Sequence, residues 1–170
     1  MARQAAEAFL EQKVKIPQFG LPTIASALNI AVNLYGEEVL VAMLTEPEAA
    51  KHDLEIINEV LSEIHRWYLK HIPLDQLQPV ISWARTQPHG YGQICGCTTQ
   101  LLSPQLYEEF VMPLDNALLG VYPNGGMIHL CGSHEQLIPL FREMENLRSV
   151  QLNDRAAEDL KLYAIYLNPC

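Results

Sequence analysis

Two residue types that bind soft metal ions stand one residue apart in the stretch Asn124-Gly125-Gly126-Met127-Ile128-His129-Leu130-Cys131-Gly132-Ser133-His134. A glycine pair opens it, a short apolar run follows and a glycine closes it before a helix start, which reads as strand, tight turn, helix. Strand side chains alternate faces, so Met127, His129 and Cys131 share one side and Ile128 and Leu130 the other. An imidazole and a thiol on Cα atoms about 6.5 Å apart can meet on one ion at bond lengths of roughly 2.0 to 2.3 Å. The plainer alternative is a half-buried His and a small apolar Cys on a core strand.

The elements around the pair decide where it points. Ser133-His134-Glu135-Gln136 fits a capping box, Ser133 accepting from a first-turn N–H and Gln136 returning a bond. A strand, a glycine and a capped helix form a βα junction, and active sites of α/β proteins gather at the carboxyl ends of their strands. Leu147 to Asp154 alternates in the same way and ends in Asn153-Asp154, placing two polar side chains at that edge as candidate substrate-binding residues. Ile165 to Cys170 reads as one more strand, so Cys170 ends a strand too and is the preferred third metal ligand. Cys95-Gly96-Cys97 is tighter than the Cys-x-x-Cys of a zinc knuckle; it reads as a structural turn in the long polar connection from Thr86 to Thr99, with its thiols as the reserve for that ligand.

The remaining chain bounds the function. It has 170 residues, 49% hydrophobic and 18% charged, an ordinary globular composition expected to form one domain over 1–170. Eleven Lys and Arg against twenty Asp and Glu give a formal charge of -9, which leaves no basic stripe for nucleic acid. No apolar run reaches the roughly 18 residues of a membrane span, and the start does not read as a signal peptide, so a cytoplasmic protein with no membrane partner is expected. Four cysteines in this arrangement look like thiols kept for metal and not like a disulfide framework.

In chain order, Ala2 to Lys13 is expected to be helical with Ala6, Phe9 and Leu10 inward, and a second helix starts near Ile24. Thr45-Glu46-Pro47-Glu48 has the form of a cap, a first-turn proline and a reciprocal Glu, opening a helix to about His71 whose stripe is Leu54, Ile57, Leu61, Ile64 and Tyr68. Gln78 to Trp83 reads as a buried strand. Ser103-Pro104 opens a helix carrying Leu106, Phe110, Leu114 and Leu118 inward, which Pro113 should kink. Leu137, Ile138, Phe141 and Met144 form the core face of the next helix, and another restarts over Ala156 to Tyr163. Strands alternating with helices predict an α/β protein with a parallel sheet or barrel.

From about Phe19 to Asp154 the chain resembles the uroporphyrinogen decarboxylase superfamily of barrels, which includes zinc-dependent methylcobamide:coenzyme M methyltransferases. The resemblance rests on Gly20-Leu21-Pro22-Thr23 leading to Ala25 and Leu28, on Glu46-Pro47-Glu48 with His52, on Leu102-Ser103-Pro104 with Tyr107, Phe110 and Pro113, and on Ile128-His129-Leu130-Cys131-Gly132. It implies a fold of parallel strands and flanking helices, a TIM-type (β/α) barrel that is partial here, since a full one takes about 250 residues. In the methyltransferase branch it implies zinc held by His129, Cys131 and a later Cys, for which only Cys170 is available, and transfer of a methyl group between a corrinoid carrier on a partner protein and a small-molecule thiol. A zinc-bound thiol loses its proton at neutral pH, which is the chemistry such a transfer needs. No further catalytic residue can be named from the sequence.

Two other readings stand beside it. A decarboxylase acting on a tetrapyrrole would need cations for the substrate carboxylates, and Arg85, Arg142, Arg148 and Arg155 are the candidates. A non-catalytic, degenerate member of the family would act as a partner subunit. A partial barrel leaves edges and an apolar face open, so a homo-oligomer or a complex with a second chain is expected.

Overall fold

The computed structural model describes residues 1–13, 19–77 and 87–167. The expected strand Gln78 to Trp83, Arg85 and Cys170 lie outside the described residues. Among the described residues four helices come first: α1 (Ala2–Glu11), α2 (Ala27–Tyr35), α3 (Glu38–Thr45) and α4 (Pro47–His71). Three parallel strands follow among the described residues, β1 (Gly92–Cys95), β2 (Gly126–Leu130) and β3 (Leu147–Leu152), in the spatial order β1-β2-β3. The connection from β1 to β2 runs through α5 (Pro104–Leu106), a π-helical stretch Tyr107–Val111 and α6 (Met112–Leu119); that from β2 to β3 runs through α7 (Ile138–Phe141). A 3₁₀ turn Asp154–Asp159 leads into α8 (Leu160–Leu167). This is a mixed α/β fold with a parallel sheet flanked by helices.

The two faces of the sheet differ in chemistry. Ile94, Ile128 and Leu130 are buried in the main core with Leu118 and Leu119 of α6, Leu137 and Ile138, and Tyr107 and Phe110 of the π stretch. The residues between them form the opposite face, and pairing puts them in rows: Gln93 beside Met127 and Ser149, then Cys95 beside His129 and Gln151. The period of two, together with the pairing register, gathers the polar and sulfur-bearing residues on one side. At β1 the sheet continues: the Cys95 N–H donates to Ile24 O (2.7 Å) and the Ser26 N–H to Cys95 O (3.1 Å). No described strand pairs with the outer edge of β3.

The long helix α4 runs from Pro47 to His71 with Leu54, Leu61 and Tyr68 buried, while Glu55, Glu59, Glu63 and Arg66 are exposed. Its expected cap is not made. Thr45 is the last residue of α3, its hydroxyl donates to Val41 O (3.1 Å), and Glu46 occupies the cap position without a side-chain bond. In α1 Ala6 is buried, but Phe9 is 58% exposed. Ser103 does cap α5, accepting from the Leu106 N–H (3.3 Å). Pro113, which lacks the N–H an unbroken helix would use, follows the π stretch, so the break expected at the proline falls one turn earlier.

The capping box at Ser133 is replaced by a tertiary contact. Ser133 Oγ donates to Asp159 Oδ2 (2.7 Å), as does the His134 N–H (3.1 Å), and Gln136 Nε2 reaches Gln100 O and Leu102 O. A carboxylate is the stronger acceptor for that N–H, and it comes from a residue too distant in sequence for local pattern to reveal. Ile165 to Leu167 is likewise helical, not a strand: α8 buries Tyr163 and leaves Ile165 and Tyr166 exposed, a helical periodicity begun at Leu160.

Candidate metal centre

At the carboxyl end of β2, His129 and Cys131 meet as their spacing predicts. The Cys131 thiol donates to His129 Nε2 at 3.0 Å. The other ring nitrogen, Nδ1, donates to Gln151 Oε1 at 2.8 Å. Gln151 lies directly across from His129 on β3. That bond fixes the tautomer and leaves Nε2 with its lone pair facing sulfur, the arrangement found behind metal-binding histidines. His129 is 4% exposed and Cys131 half-buried.

Two more described sulfurs join the cluster. β1 runs parallel to β2 with Cys95 opposite His129, so Cys95 reaches the same edge, and Gly96 turns the chain to bring Cys97 back to it. The Cys95 and Cys97 sulfurs are 3.4 Å apart, and the ligand atoms of Cys95, Cys97 and His129 all lie within 4.8 Å of one another. Cys97 Sγ also approaches His129 O (3.8 Å). Its proton is held firmly: hydrogen bonding to Cys95 raises the thiol pKa most, then burial, then hydrogen bonding to Cys131 and the repulsion a thiolate would meet from both. Crowding of this kind is relieved by a cation that takes several thiolates at once.

The group could hold a metal ion and is compatible with zinc. Bonds of about 2.3 Å to tetrahedrally disposed sulfurs set those sulfurs about 3.8 Å apart, close to the observed 3.4 Å between Cys95 and Cys97. One nitrogen and up to three soft sulfurs suit zinc better than the hard cations, which choose oxygen. Asn29, near the start of α2, borders the cluster: its Nδ2 donates to Cys95 Sγ (3.7 Å), and its Oδ1 accepts from the Thr98 N–H (3.4 Å) and the Ser26 hydroxyl (3.2 Å).

His129 and Cys131 are brought together. The pair read as a structural turn, Cys95 and Cys97, stands in the cluster instead, and the connection from Thr86 contains strand β1. Asn153 reaches toward the site, Nδ2 to Cys131 Sγ at 4.0 Å, and donates to its neighbour Asp154 Oδ2 at 2.9 Å; Asp154 is exposed, with a φ of 49°. Gln151 and Asn29 were not singled out by sequence. Gln151 was findable, because a strand aligned with β2 puts a residue two before Asn153 in the row of His129. Asn29 carried no signal, since its place depends on how α2 packs over the sheet end.

Among the described arginines, Arg142, Arg148 and Arg155 are all exposed, and the first two border a small surface pocket with Phe141, Met144 and Val150. No single described helix is long and apolar enough to cross a membrane. No family model, curated protein or solved structure matches the chain.

Proposed function

We propose that the chain is a zinc protein of the uroporphyrinogen decarboxylase type, an incomplete (β/α) barrel whose metal site serves methyl transfer between a corrinoid carrier and a small-molecule thiol. The observation that carries this is the grouping of Cys95, Cys97 and His129 ligand atoms within 4.8 Å, with Cys131 Sγ 3.0 Å from His129 Nε2. Cys95, Cys97 and His129 would hold the ion, and Cys131 is the donor an incoming thiol would displace. When bound, zinc lowers the pKa of a coordinated thiol and so supplies a nucleophilic sulfur at neutral pH. The protein's own part is to orient the imidazole through Gln151, to place Asn153 beside the exchangeable sulfur, and to keep the edge half-buried so that competing water is limited.

The decarboxylase alternative lacks comparable support, because Arg142, Arg148 and Arg155 are exposed and none is held by a buried partner that would build a carboxylate site. A reducing cytoplasmic setting would suit thiols kept for metal, and the corrinoid would arrive on a partner protein. Elemental analysis of purified protein should find about one zinc per chain. The metal-loaded protein should then methylate a simple thiol such as 2-mercaptoethanol from methylcobalamin. A protein that takes up no zinc would remove this reading; one that binds zinc tightly but moves no methyl group would leave a structural centre in its place.

A further inference from the structure

The sulfur pair of the metal centre has a second chemistry open to it. Cys95 and Cys97 are separated only by Gly96, their sulfurs are 3.4 Å apart, and both are half-buried. A disulfide is about 2.05 Å long, so closing the pair draws the two sulfurs together across a backbone turn where Gly96 has φ -108° and ψ 22°. Cys95 is distinguished from Cys97 by its neighbour: the Asn29 amide donates to the Cys95 sulfur at 3.7 Å.

We propose that Cys95 and Cys97 form a reversible oxidation site for hydroperoxides, and that their disulfide unloads the metal centre. The metal half of this statement rests on the zinc reading above; the oxidation half does not. The Cys95 sulfur attacks the outer oxygen of the hydroperoxide, the O–O bond breaks, and an alcohol or water leaves with the electron pair. The resulting sulfenic acid lies beside Cys97, whose sulfur attacks it and expels the hydroxyl as water. In balance, two thiols and one hydroperoxide give one disulfide, one alcohol and one water. A disulfide sulfur is a poor metal ligand, so the cluster would keep only His129 and Cys131 and the ion would leave. A two-residue span makes a strained bond, and strained disulfides have more oxidising potentials, so a small dithiol should restore the pair readily.

The test separates the two halves. Metal-free, reduced full-length protein is treated with a slight excess of hydrogen peroxide, quenched, and digested for mass mapping. The expected product has lost two hydrogens, with the link between Cys95 and Cys97, and dithiothreitol reverses it. The same treatment of zinc-loaded protein, followed with a chromogenic chelator, should release the bound zinc in step with disulfide formation. A link to Cys131 or Cys170, oxidation that stops at added oxygen on one sulfur, or zinc retained after the disulfide has formed would each overturn the proposal. A protein that forms the disulfide yet never bound zinc would instead count against the zinc reading alone.

Discussion

Gln151 on β3 holds the His129 imidazole on β2 by a single hydrogen bond of 2.8 Å across directly paired positions. The bond commits Nδ1 as donor, so Nε2 is the nitrogen left for metal. Partners that orient a ligating imidazole in this way are worth roughly 10- to 100-fold in metal affinity. Gln151→Leu should therefore weaken zinc binding by about that factor while leaving the fold intact, because Gln151 is only half-buried on an edge strand. Gln151→Glu, which keeps the acceptor and adds charge, should retain or tighten binding. Competition titration with a zinc chelator measures both, and equal affinities for wild type and Gln151→Leu would mean His129 does not ligate through Nε2.

The identity of the remaining ligands follows from the same competition assay. With Cys95 and Cys97 in the cluster, a Cys95→Ser/Cys97→Ser double variant should lose the metal, and Cys170→Ser should keep it. Cys131→Ser should bind zinc more weakly without abolishing it if Cys131 is the exchangeable donor. Loss of metal on Cys170→Ser with the double variant unaffected would return the third ligand to the end of the chain.

How these residues were and were not readable is a matter of range. The period of two put His129 and Cys131 on one face from sequence alone, since two residues on one strand need no tertiary information. Cys95 and Cys97 needed a neighbouring strand in a known register, and Gly92 to Cys95 is too short and too rich in turn residues around it to announce itself. Helix starts show the same divide. Ser103 caps as its local pattern predicts, whereas Thr45 and Ser133 fit the pattern equally well and are used otherwise, Ser133 because Asp159 supplies a better acceptor from elsewhere in the fold. Local rules name what a residue can do; the packing decides which partner is nearest.

Asp115 offers a test of that packing. It is fully buried on α6, accepts from the Tyr107 hydroxyl at 3.4 Å, and has one oxygen without a partner. Burial raises its pKa from 3.8 to about 7, against the lowering effect of the Tyr107 bond. The folded state thus binds a proton the unfolded state releases, so its contribution is fully present below pH 3.8 and is lost as pH rises to about 7. At about 1.4 kcal/mol per unit, the loss is on the order of 4 kcal/mol. Asp115→Asn removes the ionisation and should raise stability at pH 8, read as a higher urea midpoint, while changing little at pH 4.

His65 acts with the opposite sign in an overlapping window. It is buried on α4, its Nδ1 paired with the Tyr122 hydroxyl at 3.0 Å, and burial lowers its pKa from 6.5 to about 4. The unfolded state takes the proton first, so the contribution is present above pH 6.5 and lost as pH falls through about 4, roughly 3 kcal/mol in all. Acidification from pH 7 to 4 therefore gains through Asp115 what it loses through His65. Asp115→Asn should make the protein acid-sensitive, and His65→Phe should make it more stable at pH 4.5 relative to pH 7, whatever its absolute stability. Parallel stability-against-pH curves for the two variants would contradict the assignment.

The outer edge of β3 carries the last expectation, that the chain assembles with another. β1 is paired on both sides, by β2 and by Ile24 to Ser26, but no described strand pairs with β3 beyond β2. Unpaired N–H and C=O groups on a strand recruit a partner unless charge, proline or a covering helix guards them. Here the guard is thin: Leu147 to Leu152 has one charge, Arg148, and no proline, and its Ser149 is exposed on the face that carries the metal cluster. Nearby in sequence, α8 leaves Leu160 62% and Ile165 71% exposed, and α2 and α3 leave Leu34, Val41 and Leu44 exposed as well. At about 25 cal/mol per Å², covering a few hundred Å² of such surface is worth several kcal/mol, against a usual total stability of about 5 to 15 kcal/mol. Sedimentation velocity at micromolar concentration should find a dimer or larger species, and hydrogen exchange should protect β3 amides more strongly at high protein concentration than at low. A monomer that melts cooperatively and shows no concentration dependence at β3 would mean that the sheet is complete within one chain.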